Sequence, residues 1–77
     1  MIKETLEIFP NPASGILNVR NATAGSKYEI RDLLGRIESD GLLESDEDEI
    51  STTALIDGIY DFRVGDGTHK RIVISRK

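Results

Sequence analysis

Cysteine and tryptophan are absent from this chain of 77 residues, histidine occurs once, proline twice, and the aromatics are two Phe and two Tyr. Without cysteine there is no disulfide framework, no thiolate metal site and no cysteine nucleophile. A single histidine with no cysteine beside it excludes the common zinc ligand sets. No apolar run approaches the roughly 18 residues of a membrane-spanning helix. The chain has no basic excess either: its net charge is −4, which disfavours nucleic acid, because phosphate attraction needs a broad basic surface. The familiar catalytic signatures are missing as well. There is no G-x-S-x-G elbow, no phosphate loop and no G-x-G-x-x-G. Ala13-Ser14-Gly15 follows two prolines rather than a strand-to-helix turn.

What is present bounds a single domain over residues 1–77. Leu, Ile, Val and Phe make up 22 of the 77 residues, above the level at which disorder is expected, so one modest core is within reach. Residues 38–49 hold seven of the fourteen acids. The run from Glu44 to Glu49 reads as a solvated loop that resists aggregation, with weak cation binding as the alternative. Asp46 and Asp48 fit two positions of a calcium loop, but Ile50 takes the third and Ser51 stands where glycine is required. His69, alone after a glycine turn, reads as an exposed strand residue. Asn21-Ala22-Thr23 fits a glycosylation acceptor pattern that arises often by chance. Paired carboxylates would need a cleft, for which a sandwich of this size offers little room. The expectation is a protein that is not an enzyme and carries no cofactor or metal.

The dominant hydrophobic period is two. Leu6 and Ile8 alternate with Glu7, Leu17 and Val19 with Asn18, Tyr28 and Ile30 with Glu29, Tyr60, Phe62 and Val64 with Asp61 and Arg63, and Ile72 and Ile74 with Arg71, Val73 and Ser75. Weaker strands are expected over 36–42 and 48–53. About seven strands with a turn signal near every ten residues predict an all-β fold, an antiparallel sandwich. Residues ahead of proline avoid the helical region, so Pro10 and Pro12 hold Phe9 and Asn11 extended. Asp32-Leu33-Leu34-Gly35-Arg36 reads as a hairpin turn in which Gly35 supplies positive φ. Gly65-Asp66-Gly67 reads as a second, and 21–25 as a loop.

Four segments in order carry a resemblance. They are Ile8-Phe9-Pro10-Asn11-Pro12-Ala13, Ile30-Arg31-Asp32-Leu33-Leu34-Gly35-Arg36, Leu55-Ile56-Asp57-Gly58-Ile59-Tyr60 running into Asp61-Phe62-Arg63-Val64, and Lys70-Arg71-Ile72-Val73-Ile74 with Lys77 at the end. Together they resemble the type A C-terminal sorting domain of type IX secretion cargo. Phe9 stands where that family has tyrosine, and Ile56 where it has proline. The resemblance implies an Ig-like β-sandwich that directs an upstream cargo through the type IX outer-membrane translocon. It implies removal of the domain by a sortase-like peptidase and surface attachment of the cargo in many members. The implied setting is the outside, or the outer-membrane surface, of a Gram-negative bacterium, reached through the periplasm. Met1-Ile2-Lys3-Glu4-Thr5 is too polar for a signal peptide, so an export signal and a larger secreted cargo are expected upstream.

On this reading Pro10, Asn11, Pro12, Asp32, Gly35, Gly58 and Tyr60 shape the fold. Gly35 and Gly58 are expected where no Cβ fits, and Tyr60 is expected to bury its ring with its hydroxyl bonded. The candidate recognition residues are Lys70, Arg71, Ile72, Val73, Ile74, Arg76 and Lys77, on an edge strand open to a receptor strand or protected by its own basic residues. The competing reading is a generic Ig-like or fibronectin-like adhesion or carbohydrate-binding module, which needs exposed aromatics on converging loops.

Overall fold

The computed structural model describes residues 6–65 and 67–76. Residues 1–5, Asp66 and Lys77, which entered the sequence reading, lie outside the described residues. Seven strands run in the order β1 (Glu7–Phe9), β2 (Ile16–Arg20), β3 (Lys27–Arg31), β4 (Ile37–Leu42), β5 (Asp48–Ser51), β6 (Gly58–Val64) and β7 (His69–Ile74). All expected strands form, including the two weaker ones, and no helix is present among the described residues. The strands pair antiparallel into a three-stranded sheet, β1-β2-β5, and a four-stranded sheet, β4-β3-β6-β7. The fold is an all-β Ig-like sandwich.

The period-two pattern explains how the sheets meet. Leu17↔Ile50 and Ile8↔Val19 are register partners in one sheet, and Ile30↔Phe62 and Tyr60↔Ile72 in the other. Their side chains share the inner faces and, with Ala13, Leu43, Leu55 and Ile74, form one core. Burying each large aliphatic or aromatic side chain contributes about 1.5–3 kcal/mol. Tyr28 stacks on Phe62 with ring centroids 5.7 Å apart and planes 9° from parallel. That stack needs Gly41 across the strand pair: a Cβ there would come within 2.9 Å of the Tyr28 ring and hydroxyl.

Strand direction sorts the loops to two ends. The chain enters at Leu6 beside the 21–26, 43–47 and 65–68 connections. The opposite end gathers the 10–15, 32–36 and 52–57 connections together with the last described residues, Ser75 and Arg76. Each of the four family segments therefore has a part at the end opposite Leu6, although 55–64 and 70–74 also run along the strands towards the other end.

Candidate recognition end

The turn between β3 and β4 shows why its motif needs aspartate, glycine and a basic residue. The Asp32 amide donates to the Arg36 carbonyl at 2.9 Å, and the Gly35 amide donates back to Asp32 at 3.0 Å. Gly35 has φ +86°, a value that L side chains avoid. One Asp32 oxygen, Oδ1, accepts the Leu34 and Arg36 amides, both at 2.9 Å, and Oδ2 accepts Arg36 Nε at 2.7 Å. Donation by the Arg36 amide, then by its guanidinium and the Leu34 amide, holds the Asp32 carboxyl below its ordinary value against partial desolvation. The β6–β7 turn repeats the backbone pattern, with Val64 donating to Thr68 at 2.9 Å, Gly67 donating to Val64 at 3.0 Å, and Gly67 at φ +95°.

The segment before β6 ends in a tyrosine corner. Tyr60 is buried, and its hydroxyl donates to the Ile56 carbonyl at 2.7 Å. Burial, followed by the charges of Glu38 and Asp32, pushes this phenol above its ordinary value. Ile56 stands in the place of the family's proline with its side chain 79% exposed. What the corner uses is its carbonyl, which either residue supplies. Gly58 corrects the expectation placed on it. Its φ is not positive, and an added Cβ would meet only Tyr60 Cε2 at 3.8 Å, an ordinary contact. The glycine without room for a Cβ is Gly41, whose constraint comes from a ring on the neighbouring strand and leaves no local signal.

The Pro-Asn-Pro segment lies against the last strand. Pro10 and Pro12 both follow cis peptide bonds. Asn11 Oδ1 accepts the Val73 amide at 2.9 Å. Ala13 donates to the Val73 carbonyl and accepts from the Ser75 amide, each at 2.8 Å, which forms a parallel bridge to Ile74. From the other side, Arg76 Nη1 binds Asp57 at 3.1 Å and Nη2 donates to the Thr52 carbonyl at 2.6 Å. Residues 73–76 are thus held by two different family segments.

This placement divides the candidate recognition residues. Ile72 and Ile74 are core residues, each 1% exposed. Lys70 shares their inward face and is half-buried. Val73 has its edge groups bonded, and Arg76 is clasped. By period two from Val73, the backbone groups of His69 and Arg71 point away from β6, and no strand pairs with them among the described residues. Arg71 is exposed on the outer face. Lys77 lies outside the described residues. The expected edge strand is therefore open at its start and covered at its end.

No three His, Cys, Asp or Glu side chains gather into a metal-holding group among the described residues. In the acidic loop, Asp48 turns its carboxylate onto the Glu44 and Glu49 amides, at 3.0 Å and 2.8 Å, and these donors hold it below its ordinary value. Asn21 has φ +61° at the start of its loop.

No curated protein matches the chain. Among solved structures it is similar to a chain of PorZ from Porphyromonas gingivalis, described as an essential bacterial surface component of the type-IX secretion system. The TM-score is 0.72 at 20% identity, over 92% of this chain and 11% of that one; the likeness is one of fold. The family model described as the secretion system C-terminal sorting domain matches residues 7–75. The chain belongs to the family of type IX secretion C-terminal sorting domains.

Proposed function

We propose that this domain is the export address of a larger secreted protein, carried behind its cargo. The cargo precedes Leu6, crosses the periplasm and reaches the outer-membrane translocon, where the far end of the sandwich is read. A sortase-like peptidase then removes the domain, and the cargo is attached to the cell surface. The domain itself acts as substrate and ligand, without catalysis and without a cofactor. Membership of the sorting family carries the reading. A part of each of the four family segments lies at the end opposite Leu6, which supports it: a receptor would meet that end while the cargo trails from the other.

The adhesion or carbohydrate-binding reading needs an aromatic platform. Tyr28, Tyr60 and Phe62 are packed into or against the core. Phe9 is 37% exposed, with the Arg20 guanidinium 5.1 Å above its ring. This arrangement favours the export reading.

Position tests it. A reporter followed by residues 1–77 should reach the surface of a host with type IX machinery, and the same domain placed ahead of the reporter should not. Equal display of both would reject a C-terminal address. Deleting the final residues is a poor substitute, because residues 73–76 are bonded into the fold and their loss would disturb it along with any recognition.

A further inference from the structure

Of the eight large apolar side chains left exposed among the described residues, only Leu42 lies at the end where the chain enters. The others gather towards the end that bears the family segments. Leu34 and Ile56, 80% and 79% exposed, line one groove of about 410 Å³ together with Leu33 and Ile59. Folding does not account for them. Turn positions between Asp32 and Gly35 accept most residues and favour polar ones, and Ile56 serves the tyrosine corner through its carbonyl. Contiguous exposed apolar surface marks an interaction site.

The charges around the groove are mostly cancelled. Asp32 pairs with Arg36 at 2.7 Å and Asp57 with Arg76 at 3.1 Å. Glu38, exposed and lining the groove, acts on Arg36 only at a distance, because that guanidinium is already bonded to Asp32. We propose that this groove seats an apolar segment of a receptor protein, one presenting aliphatic or aromatic side chains with a lysine or arginine beside them to meet Glu38. Leu6, the first described residue, lies at the other end of the sandwich, which favours a receptor over the attached cargo as the occupant. A second copy in a two-fold arrangement would add a second Glu38 to the same patch with no new cation to meet either. An anionic membrane is disfavoured by the net charge of −4 and by the concave shape of the seat. The proposal rests on the export reading and deepens it by naming the surface and the chemistry of its partner.

The test uses the reporter–domain fusion in a type IX host. Leu34→Asp with Ile56→Asp should lower surface display by about tenfold or more, the loss expected of a hot-spot contact. The thermal midpoint of the purified domain should stay unchanged. Leu42→Asp, at the other end, should display as the parent does. The milder pair Leu34→Ser and Ile56→Ser serves if the aspartates disturb folding. Parent-level display of a folded groove variant would overturn the proposal, as would equal loss in Leu42→Asp. It would also be overturned by a dimer in sedimentation, or by binding to phosphatidylcholine–phosphatidylglycerol vesicles, that Leu34→Asp abolishes. If the parent fusion itself stays in the periplasm, it is the export reading that fails.

Discussion

Asn11 Oδ1 accepts the backbone amide of Val73 at 2.9 Å, joining two residues 62 positions apart. The carboxamide takes the place of a neighbouring strand at the edge of β7, and Ala13 continues the contact through two backbone bonds. A motif that reads in sequence as a connector is thus the cover of the final strand.

Asn11→Ala should cost about 0.5–1.5 kcal/mol, the usual loss for one such bond, and should speed hydrogen exchange at the Val73 amide. Asn11→Asp keeps an acceptor and should retain most of the protection. Exchange followed by NMR on the parent and both variants measures this, and identical Val73 rates in all three would contradict the contact.

Two glycines should respond in opposite ways. Gly41→Ala drives a Cβ to within 2.9 Å of the Tyr28 ring and should destabilise by about 1–3 kcal/mol, as overpacking does. Gly58→Ala meets nothing nearer than 3.8 Å and should be neutral or stabilise by up to about 1 kcal/mol through lost chain entropy. Urea titrations of the two variants separate these outcomes.

Thr52 is wholly buried, and its hydroxyl has no hydrogen-bond partner among the described residues. Its backbone is fully used: the amide donates to Gly15 at 2.8 Å, and the carbonyl accepts from Leu55 at 3.0 Å and from Arg76 at 2.6 Å. Thr52→Val keeps the shape, removes a buried polar atom and should stabilise by about 1 kcal/mol. A clear fall in melting temperature would point to a partner for the hydroxyl.

Acid should weaken the fold partly through Asp32 and Asp48. Both carboxyls are held below the ordinary 3.8 by amide donors, aided at Asp32 by the Arg36 guanidinium. Their contribution is fully present above that value and is lost as pH falls through the lower folded values, because there the unfolded chain binds more protons. Asp32→Asn should therefore flatten the fall in melting temperature between about pH 5 and pH 2. An unchanged acid limb would remove Asp32 from the account.

Much of this was legible locally. Alternation at period two marked five of the seven strands, with 36–42 and 48–53 as weaker expectations, and Asp32 with Gly35 announced the turn whose bonds the structure shows. The failures share a cause. Gly41 is constrained by Tyr28 on the next strand, Asn11 by Val73, and Arg76 by Asp57 and Thr52. Sheet order creates these relations, and sheet order leaves no mark in neighbouring residues. Ile72 and Ile74 looked available on a terminal strand and lie in the core. Leu33 and Leu34 read as turn residues and are turn residues, but that their side chains line a groove with Ile56 and Ile59 follows from the sheet order and not from the turn.

Surface display of a reporter fused ahead of residues 1–77 tests the central claim most directly, compared in matched hosts with and without the type IX translocon. The account predicts display in the first host and periplasmic accumulation in the second. The same distribution in both would contradict it.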